Sequence, residues 1–338
     1  MEATEEYITI GRELLACEPV PSRTVDCRSA FGKMLIFDLS ASFPAILCKR
    51  VALKKAFGEL LWMIAGETDA AVLHDPKYGD SKIWDADAAA FSKRLEARWE
   101  SFPPSESLRA LWETPSRVGS PIQQFTTDLG YVYGTQWRSF TGVDTRAWLA
   151  GDTTKAVHMM DQLKELVDLL RREPSSRRAM VTSYNPALQL DGSLAALPPC
   201  HTQFQVSASR GNMHLKIDQR SADYLLGLPF NVVNYALMAH MLAELLAVPV
   251  GNMYHTLGDY HVYENHADTV RDMIEAWDAP RRVRSQMGSD LTLKLQIAPG
   301  TREYLWDFKL EDFSVIETST GTRYEDLGLP LFTGALNA

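Results

Sequence analysis

The sequence contains little cysteine and no long apolar run. Four of its 338 residues are cysteines, namely Cys17, Cys27, Cys48 and Cys200, and no two of them have CxxC spacing. This pattern predicts neither a zinc site nor a disulfide framework, and free thiols are typical of a reducing compartment. No stretch approaches the roughly 20 apolar residues of a membrane span, and the acidic start "MEATEEYITIGRELL" lacks the features of a signal peptide. We therefore expect a cytoplasmic protein that binds neither metal nor membrane.

Positive charge is also scarce. The chain has 34 lysines and arginines against 43 aspartates and glutamates, which gives a net charge of −9 at pH 7. Because surfaces that bind nucleic acid in general are basic, this balance argues against general nucleic-acid binding. An anionic ligand would have to meet a local cluster of arginines.

The apolar pattern predicts both helices and strands. Helical spacing is found over residues 50–66, which end at a glycine, and over residues 154–172, which precede "EPSSRR". Residues 231–250 are apolar on nearly every face, which predicts a helix buried in the core. Two alternating runs, 202–209 and 212–219, flank Arg-Gly-Asn and predict a β-hairpin. The predicted fold class is α+β, with a largely antiparallel or mixed sheet and helices segregated against it.

One segment has the composition of an insertion. Residues 88–127 contain "SFPPSES" and "TPSRVGSPIQQ" beside the charged, helix-like "KRLEARWE". The whole chain is 46% apolar and long enough to bury a large core. We predict one domain over residues 1–338 with a surface insertion at 88–127.

Cys200 has an unusual position for a structural cysteine. A lone cysteine is usually a small buried hydrophobe. In "LPPCH", however, two prolines fix the backbone before Cys200 and a predicted strand follows it, which is the rigid, partly exposed mounting that a nucleophile needs. Arg220 in "DQRSADYLLGLPFN" lies at a strand end, where an ordinary turn would also explain these residue types. An arginine there can bind a phosphate bidentately and favour a nearby thiolate.

Other charged residues also need an explanation. Glu59 lies in the apolar helix predicted over residues 50–66, and a buried carboxylate without a task is costly, so we expect a partner or a proton for it. Arg177 and Arg178 fit a solvated helix end as well as an anion site.

Six segments occur in an order that points to one family. They are "ELLWMIAGET", "DLGYVYGTQWRSF", "SSRRAMVTSYNP", "LPPCH", "DQRSADYLLGLPFNVVNYAL" and "TLGDYHVYENH". Together they resemble the thymidylate synthase family, from about Arg23 to the C-terminal tail and outside the insertion. The resemblance implies the fold of that family, with the sheet at a dimer interface and helices packed on its other face. It also implies 5,10-methylenetetrahydrofolate as co-substrate.

The resemblance further implies a covalent mechanism. Cys200 would add to C6 of a pyrimidine nucleotide, which makes C5 a carbon nucleophile toward the one-carbon unit. Glu59, with His201 and ordered waters, would move protons to O4, and Tyr133 would assist loss of the C5 proton. Asn231 matches the amide that reads the base, and because family members acting on dCMP have Asp there, Asn231 implies dUMP.

The resemblance assigns binding residues as well. The residues implied for dUMP binding are Arg23, Arg177, Arg178, Gln219, Arg220, Ser221, Asp223, Asn231, His261 and Tyr263. Of these, His261 and Tyr263 would bind the 3′-hydroxyl of the sugar. The residues implied for folate are Lys49, Trp84, Asp87, Asp223, Gly227 and Ala338. Arg220 and Asp223 also belong to the implied catalytic set. Because Arg177 and Arg178 match arginines that reach the phosphate from the other subunit, a homodimer is implied.

Departures from the family bear on the last step of the reaction. The usual "IWDEWA" of the folate-facing loop reads "IWDADA" here, so Trp84 is kept and Asp87 replaces a second tryptophan in this expected loop. Phage-type hydroxymethylases also lack that tryptophan. Tyr184 replaces the tryptophan of "AWN", Asp218 replaces the tyrosine before "QRS", the usual "PHP" is absent, and the tail ends as "LFTGALNA". A polar Asp87 would hold a water, and this tail would close the folate pocket poorly. We therefore predict a dUMP hydroxymethylase that forms 5-hydroxymethyl-dUMP and tetrahydrofolate.

Other hypotheses stay open. A thymidylate synthase would instead form dTMP and dihydrofolate. A catalytically inactive nucleotide- or RNA-binding homologue is disfavoured by the presence of Cys200, Arg220, Asn231 and Glu59. A flavin-dependent methylase is disfavoured because no Gly-rich phosphate motif is present, and a ribonucleotide substrate is not decided by these motifs. A hydroxymethylase would suggest a phage enzyme in the host cytoplasm.

Overall fold

The computed structural model describes residues 2–22, 25–101, 127–143, 149, 157–189, 194–209, 211–279 and 291–332. The chain divides into two compact units. The first unit comprises residues 1–57, 169–180 and 200–338, and the second comprises residues 58–168 and 181–199. Because compact units are not a count of domains, the single domain 1–338 and the insertion 88–127 stay predictions.

A mixed five-stranded sheet organises the first unit. The strands of the described residues are β1 (Cys27–Asp38), β2 (Phe140–Val143), β3 (Val157–Met160), β4 (Met180–Thr182), β5 (His201–Ser207), β6 (Met213–Asp223), β7 (Val250–Tyr263), β8 (Leu293–Ile297) and β9 (Phe313–Glu317). The sheet order is β1-β7-β6-β5-β4, while β2 pairs with β3 and β8 with β9. β1 and β7 are antiparallel, as are β5 and β6, whereas β6 and β7 are parallel. The predicted hairpin and the α+β class are confirmed.

Helices cover one face of this sheet. The helices of the described residues are α1 (Glu2–Ala16), α2 (Leu53–Ala65), α3 (Asp85–Ser101), α4 (Tyr133–Arg138), α5 (Gln162–Arg172), α6 (Pro186–Gln189), α7 (Gly227–Leu245) and α8 (Ala267–Asp278). Short 3₁₀ turns lie at Ala70–His74, Pro76–Tyr78, Glu264–His266, Leu305–Asp307, Leu310–Asp312 and Tyr324–Asp326. α7 packs on β6 and β7, and α1 packs on β1. Helices on the inner face therefore bury the core.

Two of the predicted helices are confirmed with small shifts of their ends. α2 ends before Gly66, whose φ of +81° is the left-handed conformation that a glycine adopts after a helix C-terminus. α7 is buried on nearly every side, as its apolar sequence predicts, and begins four residues before residue 231. Pro229 is tolerated there because the first turn of a helix needs no N–H donor.

The prediction of one helix over residues 154–172 is wrong at its start. Val157–Met160 forms strand β3, paired in register with Phe140–Val143, and residues 154–156 lie outside the described residues. The helix begins at Gln162, because the carboxylate of Asp161 accepts a hydrogen bond from the backbone N–H of Lys164. A strand partner distant in sequence thus overrides the local helical pattern.

The outer face of the sheet exposes apolar side chains. Met34 and Ile36 on β1 and Met180 on β4 are each about half exposed. In the middle of this face, Lys216 forms an ion pair with Asp218, whose Oδ2 also accepts a hydrogen bond from Gln203 at 2.9 Å. Exposed apolar side chains thus lie at the two edges of this face, and a charged pair lies between them.

Among the described residues, no helix is long and apolar enough to cross a membrane.

Candidate active site

Cys200 lies immediately before β5, at the end of the loop that contains the two prolines. Its backbone carbonyl accepts a hydrogen bond of 2.8 Å from the backbone N–H of Arg220 on β6. The residue is partly exposed, in contrast to Cys48, which is completely buried. Hydrogen bonding between neighbouring strands therefore fixes Cys200 next to Arg220, while its thiol stays accessible.

Arg220 depends on a close approach of two strands. A Cβ atom at Gly258 on β7 would lie 2.7 Å from the carbonyl oxygen of Arg220, closer than real Cβ contacts allow. A glycine is therefore required at this position for β6 and β7 to pair at Arg220. Arg220 is an exposed residue.

His201 is buried directly after the nucleophile candidate. It is 5% exposed, and its ring packs edge-on against Tyr235 with the centroids 5.2 Å apart. Burial lowers the pKa of His201 to about 4, while a hydrogen bond with the side chain of Asn231 opposes this shift. His201 is consequently neutral at pH 7 and acts through hydrogen bonds, not as a cation.

Gln219 connects Asn231 to a residue that sequence reasoning missed. The Nε2 atom of Gln219 donates to the Oδ1 atom of Asn231 at 2.9 Å and to the carbonyl of Ser221 at 2.8 Å. The Oε1 atom of Gln219 lies 2.7 Å from Nε2 of His255 on β7. A signal for His255 existed, because it is a polar residue at an inward position of an alternating strand, where an apolar side chain is the norm.

The turn before α7 is held by two predicted folate-binding residues. The Oδ1 atom of Asp223 accepts hydrogen bonds from the backbone N–H groups of Leu225 and Leu226, at 3.0 and 3.2 Å. Lys49 is 6% exposed, and its Nζ donates to the Leu225 carbonyl at 2.5 Å. Burial lowers the pKa of Lys49 to about 8, an effect that the nearby charge of Asp223 partly offsets. Gly227, also predicted to bind folate, is the first residue of α7.

The predicted sugar-binding pair lies together at the end of β7. The Nδ1 atom of His261 lies 2.8 Å from the Oδ1 atom of Asp259, and the ring of Tyr263 packs edge-on at 5.1 Å between centroids. A carboxylate oxygen accepts, so Nδ1 of His261 carries the proton of this hydrogen bond and Nε2 is the other polar atom of the ring. This arrangement suits a ligand hydroxyl.

The other predicted phosphate-binding residues lie on three different segments. Arg177 and Arg178 are exposed on the segment between α5 and β4, and the Arg178 side chain is 80% exposed, at 3.4 Å from Glu173. Ser221 is partly exposed on β6. Arg23 and Ala338 lie outside the described residues.

The second unit contains the remaining predicted residues. Glu59 is 6% exposed, and its Oε1 atom accepts a hydrogen bond of 2.8 Å from Nε1 of Trp84. The ring of Tyr133, which is buried, lies 6.2 Å from that of Trp84, between centroids. Glu59 therefore has the partner that its burial requires. Asp87 was expected in a loop, but it lies in the first turn of α3 and is partly exposed.

No group of three or more side chains among the described residues has the arrangement of a metal site.

The fold and this site define a class of protein, namely an α+β protein with a partly exposed cysteine just before a strand of a mixed sheet. A family model described as thymidylate synthase matches residues 11–323. The chain belongs to the thymidylate synthase family. Its members transfer a one-carbon unit from 5,10-methylenetetrahydrofolate to C5 of dUMP.

Proposed function

We propose that this chain is a dUMP hydroxymethylase, which forms 5-hydroxymethyl-dUMP and tetrahydrofolate. The observation that carries the proposal is Asp87, a partly exposed carboxylate three residues after Trp84 in the first turn of α3. The family has a second tryptophan at this position, and its indole excludes water. The carboxylate of Asp87 can instead bind a water molecule there. The second candidate is a thymidylate synthase, favoured by the retained Trp84 and its hydrogen bond to Glu59.

The residues around Cys200 support addition of a thiolate to dUMP. Arg220 is hydrogen-bonded through its backbone to Cys200, which supports a role for its guanidinium in binding the phosphate and in favouring the charged thiolate. The Sγ atom forms a bond to C6, the C5–C6 double bond opens, and C5 becomes the carbon nucleophile. Glu59 relays a proton toward O4, and Tyr133 assists loss of the C5 proton. Asp223 is the remaining member of the proposed catalytic residues.

The side chains present fit a folate. Trp84 offers a partly exposed indole whose Nε1 is already bonded to Glu59, so its ring face remains for a flat pterin. Asp223 offers carboxylate oxygens for amino groups, and Lys49 and Gly227 support the turn that carries it. The folate supplies the one-carbon unit and, in a thymidylate synthase, also a hydride. After carbon transfer, an exocyclic methylene at C5 of the nucleotide accepts water when the chain does not exclude it.

Analysis of both products tests the hydroxymethylase proposal. Incubation with dUMP and methylenetetrahydrofolate should give a nucleotide that has gained CH₂OH, identified by mass spectrometry, with no rise in dihydrofolate absorbance. The reason is that hydride transfer needs a dry, closed site, which Asp87 disfavours. Formation of dihydrofolate in a one-to-one ratio with dTMP would instead assign the chain as a thymidylate synthase.

Asp87→Trp tests the role of Asp87, and Asp85→Asn is its matched control. Asp87→Trp should lower the hydroxymethyl product more than it lowers dUMP binding. Asp85 lies in the same helical turn but interacts with His74 at 2.9 Å, so Asp85→Asn should leave the ratio of products unchanged.

Asn231→Asp should shift the nucleotide preference from dUMP toward dCMP. The amide of Asn231 supplies a donor and an acceptor, which complement O4 and N3–H of uracil, whereas a carboxyl group accepts from the amino group of cytosine. Each mismatched hydrogen bond in a buried site is worth about 1–3 kcal/mol, so we expect a change in the ratio of kcat/KM values of roughly 10- to 100-fold. Unchanged selectivity would show that another group reads the base.

The homodimer is proposed to form through the outer face of the sheet. Met34, Ile36 and Met180 expose apolar area there, and a second copy of the chain would bury it. The exposed Arg177 and Arg178 would then be free to reach the phosphate bound by the other subunit. The proposed location is the cytoplasm, or the host cytoplasm for a phage enzyme.

A further inference from the structure

A chain of hydrogen bonds leads from the interior of the sheet to Asn231. We propose that His255 is a specificity-determining positioning residue, which orients the amide of Gln219 and, through it, holds the amide of Asn231 in the orientation that complements uracil. The inference rests on the proposed role of Asn231 in reading the base. His255 acts only through Gln219 and Asn231 and does not itself contact the nucleotide.

The orientation of the Gln219 amide follows from its neighbours. The carbonyl oxygen of Ser221 only accepts hydrogen bonds, so the atom of Gln219 at 2.8 Å from it is the donor Nε2. This leaves Oε1 as the atom at 2.7 Å from Nε2 of His255. An amide oxygen only accepts, so Nε2 of His255 carries a proton.

The protonation state of His255 supports this arrangement. The residue is completely buried, and burial lowers its pKa to about 3. A neutral imidazole has a single N–H, which Gln219 requires at Nε2, and Nδ1 has no hydrogen-bond partner among the described residues. Only one of the two neutral tautomers therefore satisfies Gln219.

The same logic extends to Asn231. With Oε1 bound by His255, Nε2 of Gln219 donates to Oδ1 of Asn231 at 2.9 Å. Oδ1 keeps a second lone pair for the N3–H of uracil, and Nδ2 remains to donate to O4. A flipped Asn231 would place its NH₂ group against the NH₂ group of Gln219, so that two donors would face each other. Cytosine, whose N3 accepts and whose amino group donates, requires this flipped amide.

Removal of the His255 donor should weaken this discrimination. In His255→Phe, the Oε1 atom of Gln219 is left buried without a hydrogen-bond donor. If the amide of Gln219 rotates to avoid this cost, it presents its oxygen, an acceptor, to Asn231. Gln219 then no longer favours one orientation of Asn231, and the hydrogen bond between His201 and Asn231 remains. His255→Gln restores an N–H donor at this position and is the conservative rescue variant.

The test compares dissociation constants of dUMP and dCMP, measured by calorimetry on the full chain without folate. In His255→Phe, the preference for dUMP over dCMP should fall about tenfold, equivalent to about 1.4 kcal/mol. His255→Gln should retain most of the preference. The matched control is His240→Phe on α7, because His240 is also a largely buried neutral histidine, with its pKa lowered to about 4, and contacts Phe43 instead of the base-reading network.

Selectivity is the decisive readout, because a purely structural role would lower stability without changing the ratio of the two constants. A folded His255→Phe protein with a wild-type ratio overturns the role of His255, whereas a wild-type protein that binds neither nucleotide overturns the proposed function itself. If His255→Phe does not fold, ¹⁵N NMR of the wild-type imidazole decides. An Nε2–H tautomer supports the proposal, and an Nδ1–H tautomer overturns it.

Discussion

Cys200→Ala should abolish turnover of dUMP while leaving dUMP binding intact. In the proposed mechanism the thiol of Cys200 forms the bond to C6, a step for which the mechanism offers no other nucleophile. We expect kcat to fall by at least about 10⁴-fold, which is the scale of loss when a covalent enzyme loses its nucleophile. The proposed phosphate and sugar contacts lie on other residues, such as Arg220 and His261. Product formation by mass spectrometry and dUMP affinity by calorimetry measure the two effects separately.

The chain offers a matched control for this experiment. Cys17 is partly exposed, like Cys200, but lies after the end of α1, where its Sγ donates to the carbonyl of Glu13 at 3.4 Å. Cys17→Ser keeps a donor for that carbonyl and should retain wild-type activity. Substantial turnover by a folded Cys200→Ala protein would contradict the covalent mechanism.

Replacement of both Arg177 and Arg178 by alanine should reduce activity nearly as much as Cys200→Ala does. Mixing this double variant with a second inactive variant should restore part of the activity. Charge-assisted hydrogen bonds contribute about 1.5–3 kcal/mol each, so the double alanine variant should lose roughly two to four orders of magnitude in kcat/KM. Mixed and re-paired with Cys200→Ala, it should regain about one quarter of wild-type activity, because half of the dimers are mixed and each has one intact site.

The control for complementation uses a residue that acts within its own chain. Arg220 is hydrogen-bonded through its backbone to Cys200 of the same chain, so neither site is intact in a dimer of Arg220→Ala and Cys200→Ala chains. This pair should remain inactive. Equal recovery in both mixtures, or in neither, would argue against arginines donated by the partner subunit.

Much of the first unit could be predicted from the sequence, because local patterns there agree with the tertiary contacts. The β5–β6 hairpin follows from two alternating runs around a turn, and α7 follows from an apolar segment too uniform to face water. The position of Cys200 before a strand follows from the two prolines. In each case one stretch of chain contains the whole signal.

Local patterns failed where a distant partner decided the structure. Residues 157–160 have helical spacing with their neighbours, yet they pair as a strand with residues 140–143. Asp87 was expected in a loop, but it begins a helix. Short segments balance several local preferences within about 1 kcal/mol, and a few tertiary hydrogen bonds exceed that difference.

The sequence by itself determined the family, the α+β class and the identities of the reactive groups, because order and type of residue are properties of the chain alone. Only the tertiary structure decided which groups orient one another. The hydrogen bonds from His255 through Gln219 to Asn231 join three elements that are separate in sequence, and the direction of an amide depends on its neighbours in space. The neutrality of His201 was likewise decided by folding, because burial, not residue type, lowers its pKa.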